Sequence, residues 1–525
     1  MELDEIFKRY IPHYAEAALQ GKLLTFEVQP SEIVAVGESL YLHHQTPLKI
    51  ITAFDERTES GRFRIMYVFG LPGEHLFLAP YIRVDRDFPS LTPSFHEASI
   101  YERKIRSFFG LEPKGHPNPR PLILHENWPE GIFPLRKDFD WRTRPETAHG
   151  EFQFRELNGE GIYEIPVGPV HAGIIEPGHF RLSVAGEEIL LLEPRLGYSH
   201  KGSEKLFEVL PLAEKIRLAE RISGDSSFSH ALAFCQALES MSETTVSDRD
   251  EHLRIAFCEL ERLANHLGDI GAIMTDTGFN FGGSQCARMR ESVMQVNERL
   301  TGNRFLRGVV KVGGIMEEVN AGISQEIPDE IVAFLDSLKM DFDEVMAIAE
   351  GSSTLINRLK NAGILTQVIA RDHGALGIAG KGSGLASDAR VDYPYGAYQK
   401  MKVEVCTEQE GDALARFNVR TREVRGSIEL ISQSLGEVKQ AERESEQNSI
   451  EFKKNSFAIG IVEGWRGDIV YLVATDARGE ISRVDVRDPS FLNWTALGYA
   501  GQDNMVPDFP LINKSFNLSY SGNDL

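Results

Sequence analysis

Three long segments repeat apolar residues at the spacing of an α-helix, and they constrain the fold more than any other feature of the sequence. Apolar side chains recur every three or four residues across 253–270, 328–351 and 413–435. This spacing places them on one face of a helix, and that face must be buried against other elements. The larger part of the chain is therefore predicted to be a helical bundle.

The first of these segments also carries a line of polar residues. Glu259, Arg262, His266 and Asp269 each lie three or four positions from the next, so they share one side of the helix. Two interpretations remain open. The line is either a solvated face with salt bridges or a charged file inside the bundle, where it could relay protons.

The first 140 residues differ from the helical part and predict a small α/β domain. Runs of β-branched and aromatic residues at 48–54 and 63–69 are bounded by turn residues and predict strands. A helix is predicted over 97–109, with Gly110 as its C-terminal stop. Together with the helical segments downstream, this gives an α+β chain.

A proline-rich arm, residues 111–139, follows this domain. So many prolines exclude regular structure, and the arm is expected to be extended and to lie across another subunit. Residues 141–160 are polar and predict a linker to a second domain, 161–525, which opens with a hairpin around 165–192. Apolar residues interleaved with Asn and Ser in 506–525 predict an ordered tail packed on a surface.

Charge and cysteine usage limit the functional classes. The net charge of -22 argues against a nucleic-acid partner, which would need a basic face. The four cysteines form no Cys-x-x-Cys pair, so they are expected to be buried thiols, and the chain itself is not expected to hold an iron–sulfur cluster. An acidic, amphipathic N-terminus and the lack of an apolar run near the roughly 20 residues of a membrane helix predict a cytoplasmic location.

Two polar segments stand out by their spacing. The first frame, Arg221–His230, reads Arg-x-[ ]-Gly-x-[ ]-x-x-x-His, and the second frame, Asp488–Trp494, begins Asp-Pro-[ ]-x-x-[ ]. Their composition is that of polar turns beside regular elements and does not by itself demand chemistry.

Both frames resemble the metal-binding segments of nickel–iron hydrogenase large subunits, which carry cysteine at the four bracketed positions. This chain has Ser223, Ser226, Ser490 and Asn493 there. Nickel and iron need soft, anionic thiolates, and neutral hydroxyls and an amide are hard, weak donors that cannot bridge two metals. The resemblance therefore implies a hydrogenase architecture with no metal site and no hydrogenase activity of its own.

Further motifs extend the resemblance along the second domain. Gly168-Pro169-Val170-His171 is similar to the opening hairpin of NuoD-type subunits of respiratory complex I. Glu176-Pro177-Gly178-His179 resembles the Glu-Gly-His element of hydrogenases, with Pro177 inserted. Glu463-Gly464-Trp465-Arg466-Gly467 resembles the hydrogenase Glu-x-Pro-Arg-Gly element, whose arginine overhangs the metal site.

The first domain resembles a different subunit of the same complex. The order Glu102-Arg103, Gly115-His116-Pro117 and Pro134–Asp138 is similar to the signature of NuoC-type subunits. The chain thus resembles a fused NuoC–NuoD protein with the layout of the large subunit of formate hydrogenlyase and other energy-converting hydrogenases. Its expected fold is a NuoC-like α/β domain (1–140) followed by a mainly helical, hydrogenase-like domain with small β elements.

The resemblance implies a set of partners and a location. The chain is expected in the peripheral arm of a membrane-associated complex, on the inner face of the cell membrane. The implied partners are a NuoB-like or hydrogenase-small-subunit-like protein that carries a [4Fe-4S] cluster, and antiporter-like and NuoH-like membrane subunits. No cofactor is expected on this chain alone, apart from a quinone that could occupy the emptied metal cavity.

Histidines and acids near such a cavity are the candidate functional residues. His171, Asp225, His230 and Asp488 are predicted to supply protons, as quinone reduction requires, although His230 could equally be a hydrogen-bonded core residue. The residues expected to line the cavity are Glu176, His179, Arg221, Ser223, Ser226, Glu463, Arg466, Ser490 and Asn493.

Two functions remain open from the sequence. In the first, the chain is part of a complex I-like oxidoreductase in which electron transfer to a quinone-like acceptor is coupled to ion translocation. In the second, it is a redox-silent scaffold in a hydrogenase-related, ion-translocating complex.

Overall fold

A computed structural model describes residues 3–11, 17–171, 175–324, 326–441 and 450–525. Within these ranges an N-terminal α/β domain precedes a larger, mainly helical domain with small sheets, which is the predicted α+β class. None of the helices in the described part of the chain combines the length and apolar character needed to cross a bilayer.

The N-terminal domain is built on a five-stranded sheet. Its strands and the short pair beside them are β1 (Ala18–Gln20), β2 (Leu23–Glu27), β3 (Leu48–Glu56), β4 (Arg62–Leu71), β5 (Leu76–Val84), β6 (Asp87–Pro89) and β7 (Glu112–Lys114). Its helices are α1 (Leu3–Tyr10), α2 (Ile33–Glu38), α3 (Arg57–Ser60) and α4 (Ala98–Phe109). The strand order is β1-β2-β5-β4-β3, with β2 and β5 parallel and the other neighbours antiparallel.

The strands predicted at 48–54 and 63–69 and the helix predicted over 97–109 are confirmed as β3, β4 and α4. Gly110 ends α4 with a positive φ of 69°, a conformation that favours glycine. Strands β3 and β4 are buried along most of their length because both faces of the sheet are covered.

The arm is extended, as predicted, but it crosses the second domain of its own chain. Arg120 pairs with Glu193 at 2.6 Å, and His125 Nε2 donates to the carbonyl of Leu196 at 2.8 Å. The expectation that prolines exclude all regular structure here is wrong at Glu112–Lys114, because this short strand pairs along one edge only and tolerates Pro113.

The second domain opens with the predicted hairpin and continues into the helical bundle. Its first strands are β8 (Ile162–Val167), β9 (His179–Ala185) and β10 (Glu188–Arg195), in the order β10-β9-β8. The elements that follow are α5 (Ser203–Val209), α6 (Leu212–Ala219), α7 (Ser227–Ser242), α8 (Asp248–Asp276), α9 (Asn280–Thr301), β11 (Val310–Lys311), β12 (Gly314–Ile315), α10 (Glu317–Gly322), α11 (Ile327–Glu350), α12 (Ser353–Leu359), α13 (Gln367–Asp372), α14 (Gly377–Gly382), α15 (Ala389–Asp392) and α16 (Ala413–Gln440).

The three segments with helical spacing are confirmed as parts of α8, α11 and α16. Helix α8 packs between α9 and α16, and its N-terminus is capped by Ser247, whose side chain accepts from the amide of Asp250. Because α8 has neighbours on several sides, most of its residues are buried, polar ones included.

The chain ends in a second buried sheet and three helices. They are β13 (Phe457–Gly464), β14 (Gly467–Thr475), β15 (Ile481–Arg487), α17 (Ser490–Ala500), α18 (Phe509–Phe516) and α19 (Tyr520–Asp524). Helix α7 packs on β13 and β14, and the N-terminal domain lies against the same sheet, where Phe54 meets Phe457. The tail predicted over 506–525 is ordered, and Pro507 and Pro510 are exposed at the surface. Residues 518–525, called the tail from here on, are buried in the interior.

Candidate functional site

The first frame forms a turn followed by the start of α7, and this arrangement points His230 into the interior. His230 Nε2 lies 3.0 Å from Asp488 Oδ2, and Nδ1 lies 3.0 Å from the hydroxyl of Tyr471. All three side chains are buried. Burial opposes ionisation of Asp488, but hydrogen bonding and charge from His230, with a contribution from Arg466, outweigh it and lower its pKa.

Asp488 follows β15 and begins the second frame. Its Oδ1 accepts from the amide of Ser490 at 2.7 Å at the start of α17, so the carboxylate holds both His230 and the first turn of that helix. These hydrogen bonds are the ones expected if His230 is a core residue, which was the second interpretation of this histidine. The predicted proton-supplying role of the pair stays a prediction.

The tail lies between the two frames, and sequence reasoning missed it. Ser519 Oγ lies 2.9 Å from Ser223 Oγ, and the amide of Ser519 donates to Ser490 Oγ at 2.9 Å. Trp494 Nε1 donates to the carbonyl of Ser519 at 3.2 Å. The residue that faces Ser223 is thus Ser519. No local pattern marked it, because one residue separates Ser519 from Ser521, whereas two separate Ser223 from Ser226.

Asp225 and Arg466 form an ion pair at the outer edge of this cluster. Arg466 reaches both carboxylate oxygens, at 2.6 and 2.7 Å, and its guanidinium stacks 3.8 Å from the ring of Trp465. Burial opposes ionisation of Asp225, but the charge and hydrogen bonds of Arg466 outweigh it and lower its pKa. The Asp225 side chain stays 38% exposed, so it contacts solvent.

Ser223 connects this ion pair to the tail. Its Oγ lies 3.0 Å from Asp225 Oδ1 and 2.9 Å from Ser519 Oγ. One hydroxyl donates a single hydrogen bond, so when Ser223 donates to Asp225, the Ser519 hydroxyl donates to Ser223. A chain of hydroxyls therefore runs inward from an exposed carboxylate.

The hairpin lies over the outer side of the tail. Glu176 Oε2 accepts from the amide of Ser521 at 3.0 Å, and Gly178 packs against the ring of Tyr520. His171 Nε2 donates to the carbonyl of Gly178 at 2.7 Å, and His179 Nδ1 donates to the carbonyl of Gly168 at 3.3 Å. Both histidines thus hydrogen-bond to the backbone of the hairpin.

Four of the residues predicted to line the cavity contact other parts of the chain. Asn493 pairs with the backbone of Leu376 through both its amide oxygen and nitrogen, at 2.9 and 3.2 Å. Arg221 is exposed at the turn, where its carbonyl accepts from Lys201. Ser226 is buried and begins α7, and its carbonyl accepts from the amide of His230. Glu463 belongs to a separate ion cluster described below.

The arrangement is a filled, hydrogen-bonded cluster and not the open cavity that the sequence suggested. Beside Asp225 the structure has a cavity of about 20 Å³, which is the space of a single water molecule. The donor set of Ser223, Ser226, Ser490 and Asn493 contains no thiolate, and Ser519 stands between the frames. These residues do not fit a nickel–iron centre.

The polar line of α8 lies inside the bundle, so the charged-file interpretation is confirmed and the solvated face is wrong. Arg390 pairs with Glu259 at 2.9 Å, and His266 Nε2 lies 2.8 Å from Glu423 Oε2. Lys381 lies at the centre and pairs with Asp388, Glu423 and Glu463; Arg262 completes the set. We call these eight residues the ion cluster.

Charge balance in the ion cluster favours one bound proton. Four carboxylates (Glu259, Asp388, Glu423 and Glu463) face three cations (Arg262, Lys381 and Arg390), and burial lowers the pKa of His266, which keeps it neutral. Burial, aided by the charge of Asp388, raises the pKa of Glu463. The arginine and lysine charges outweigh burial and lower the pKa of Asp388. Glu463 is therefore the most easily protonated of the four carboxyls.

The comparisons with known proteins agree on one family. The model of the respiratory-chain NADH dehydrogenase 30 kDa subunit matches residues 26–145, and that of the 49 kDa subunit matches residues 276–459. The chain is 32% identical over 513 residues to formate hydrogenlyase subunit 5 of Escherichia coli, with 95% of this chain and 89% of the relative covered.

Two further relatives match over most of this chain. Hydrogenase-4 component G of Escherichia coli is 32% identical over 509 residues, which cover 95% of this chain and 88% of the relative. The C/D subunit of the NADH-quinone oxidoreductase of Phocaeicola vulgatus is 28% identical over 413 residues, which cover 75% of this chain and 78% of the relative.

Proposed function

The chain belongs to the family of large subunits that includes formate hydrogenlyase subunit 5 and the C/D subunits of NADH-quinone oxidoreductase, and on that premise we propose that it takes part in electron transfer to a quinone-type acceptor. It does so as a peripheral-arm subunit of a membrane-bound complex, and the reaction is coupled to ion translocation. The electrons come from a [4Fe-4S] cluster of a partner subunit, and no nickel–iron chemistry takes place on this chain.

The observation that carries the proposal is the hydroxyl chain beside an exposed carboxylate, which includes Ser223 at one of the four cysteine positions. Reduction of a quinone to a quinol takes two electrons and two protons. Asp225 is held ionised by Arg466 at a water-accessible edge, and Ser223 and Ser519 continue inward from it at 3.0 and 2.9 Å. Hydroxyls that hydrogen-bond to a water-accessible carboxylate can exchange protons with it, so protons can move between water, Asp225 and an acceptor at that edge.

The acceptor is expected on the outer side of the cluster, because the inner side is filled. The hairpin presents Val170, which is 86% exposed, and Ile175, which is 45% exposed, beside Glu176 and the tail. An apolar surface with a polar rim is typical of a site completed by a partner. A quinone headgroup held between this surface and an iron–sulfur subunit would lie near the Asp225 edge.

A second candidate function is a redox-silent scaffold, and one observation favours it. The tail occupies the space between the frames, and the cavity beside Asp225 holds about 20 Å³, too little for a quinone ring. In that function the cluster is a structural core and the site has no turnover of its own.

Quinone reduction by the whole complex distinguishes the two. Asp225→Asn removes the exposed base, and Ser519→Ala interrupts the hydroxyl chain, so each should lower turnover of a water-soluble quinone at least tenfold. Glu151→Gln, on the exposed linker, is the matched control and should change nothing. Native gels must show an intact complex, and its metal content should include iron but no nickel. Unchanged turnover in both variants would identify the chain as a scaffold.

A further inference from the structure

A separate cavity of about 420 Å³ lies between the two domains. Its walls come from α4 of the N-terminal domain, from the arm and linker, from β10 and from α17. Trp494 and Asn523 line it, and Trp494 Nε1 donates to the carbonyl of Ser519, so the cavity borders the tail. Its volume is in the range of small-molecule sites, and the function proposed above does not use it.

The charge of the cavity is opposite to that of the whole protein. Four arginines line it, Arg103, Arg120, Arg155 and Arg195, and the single carboxylate among the lining residues is Glu193. The chain as a whole carries a net charge of -22. A concentration of cations in one cavity of an acidic protein favours an anionic ligand.

Two of these arginines are already neutralised. Arg120 pairs with Glu193 at 2.6 Å, and Arg195 pairs with Glu126 at 2.7 Å. Their carboxylate partners fix their positions and leave little charge for a ligand.

Arg103 and Arg155 have no such partner in the described part of the chain. Arg103 donates to the carbonyls of Arg120 and Pro121, at 2.8 and 3.0 Å, and makes no ion pair with a described carboxylate. Burial, together with the neighbouring charges of Arg120 and Arg195, lowers the pKa of Arg103 to about 10. A partly buried cation without an ion-pair partner is destabilising, and a bound anion would offset that cost.

The rest of the wall is apolar and partly aromatic. Ile100, Leu192, Phe491, Trp494 and Tyr499 face the same space as the arginines. Apolar walls with a few charged groups that fix orientation are the usual composition of a small-molecule site. The guanidinium fork suits the oxygen pairs of carboxylate and phosphate.

We propose that this cavity binds a small organic anion, with a carboxylate or phosphate group at Arg103 and Arg155 and an apolar or aromatic body against Phe491 and Trp494. Arg103 belongs to the N-terminal domain, and Trp494 belongs to the second. The ligand therefore stabilises the contact between the domains.

Calorimetric titration of the purified complex tests the site with defined probes. 2-Naphthoate and adenosine monophosphate represent the two headgroups, 2-naphthalenemethanol and adenosine are their neutral counterparts, and inorganic phosphate is the headgroup alone. At least one organic anion should bind tenfold or more tightly than its neutral counterpart and than inorganic phosphate. Equal binding of anion and neutral probe, or phosphate binding as tight as the organic anion, overturns the proposal.

Substitutions of the lining arginines test whether the anion binds in this cavity. Arg155→Gln changes an exposed residue and should weaken anion binding at least fivefold, while Arg103→Gln should weaken it more. Arg478→Gln removes the same charge from a distant surface turn and should leave the affinity unchanged. If Arg103→Gln fails to fold, Arg155→Gln and the probe series still decide. Wild-type affinity in Arg155→Gln, or an equal loss in Arg478→Gln, contradicts the site.

Discussion

Gly522 is the residue on which the fit between the tail and the second frame depends. A Cβ added there would lie 2.6 Å from Cγ and Oδ2 of Asp488, far inside normal contact. Gly522→Ala should therefore push the tail from Asp488 and cost about 1–3 kcal/mol of stability. Urea unfolding, followed by tyrosine and tryptophan fluorescence, measures the change.

The matched control for Gly522 is Gly426 in α16. A Cβ at Gly426 meets nothing within 4 Å, and alanine in a helix interior is favoured over glycine by roughly 0.5–1 kcal/mol. Gly426→Ala should thus be neutral or stabilising. Equal effects of the two substitutions would mean that the tail does not pack on Asp488 as described.

At the level of single residues, the sequence predicted part of the site. His230 of the first frame and Asp488 of the second frame are in contact. The spacing of such a motif indicates where a turn precedes a helix. The tail was not foreseen as a wall of the site. Ser519 and Ser223 are 296 positions apart, and no local pattern encodes which distant segment fills a space.

Among the elements, α8 controls the start of α7 through Glu261, a residue that the sequence did not single out. Its carboxylate accepts from the amides of Phe228 and Ser229, at 2.7 and 3.1 Å. These are free donors of the first helical turn, so Glu261 caps α7 from a neighbouring helix. Burial raises the pKa of Glu261 to about 7 in spite of these bonds.

This pKa predicts a pH dependence of stability. Between the ordinary value of 4.5 and about 7, the folded state holds a proton that the unfolded chain has lost. Stability from this group is therefore full below pH 4.5 and falls as pH rises to 7, by on the order of 3 kcal/mol. Glu261→Gln should remove that part of the slope between pH 5 and 8 in urea unfolding.

The control for Glu261 is a carboxylate on an exposed position of α11. Glu344→Gln should leave the slope as in the wild type. An unchanged slope in Glu261→Gln would show that Glu261 is ionised throughout this range.

The ion cluster joins α8, α14, α15, α16 and β13 and gives a second prediction at this scale. Glu463 and Asp388 both contact Lys381, at 3.4 and 2.7 Å, but burial raises the pKa of Glu463 while the cations lower that of Asp388. Glu463→Gln changes the most easily protonated of these carboxyls to a neutral amide and should cost less than about 1 kcal/mol. Asp388→Asn leaves buried cations unpaired and should cost about 3–5 kcal/mol.

Soluble yield and urea midpoint of the two variants at pH 7 measure this difference. Each substitution exchanges a carboxylate for its amide beside the same lysine, so each serves as the control for the other. A larger loss in Glu463→Gln than in Asp388→Asn would reverse the assignment of the proton.

For the whole molecule, the sequence predicted the order of elements better than their contacts. The helical segments and the strands of the N-terminal domain follow from local periodicity and propensity. The arm was expected on another subunit and lies on its own chain, because a proline-rich segment encodes its extended form but not its partner. The tight union of the domains was also unforeseen, since Lys49 pairs with Asp468 across 419 positions at 2.9 Å.

That union predicts that the two domains unfold together. The N-terminal sheet shares a core with the last sheet, in which Phe457 meets Phe54 at 5.1 Å and Arg64 lies 5.0 Å from the Phe457 ring. Phe457→Ala removes the contacts with both Phe54 and Arg64 and should cost about 3 kcal/mol. Amide hydrogen exchange should then quicken in β3 of one domain and in β14 of the other, by similar factors.

The exposed Phe281 on α9 provides the control, and Phe281→Ala should leave exchange in both strands unchanged. If Phe457→Ala quickens exchange in β14 alone, the N-terminal domain is stable by itself and the shared sheet contact is only a docking surface. Equal quickening in both strands means that the N-terminal domain and the ion cluster belong to one cooperative unit, since β13 contributes Phe457 to the shared core and Glu463 to the ion cluster.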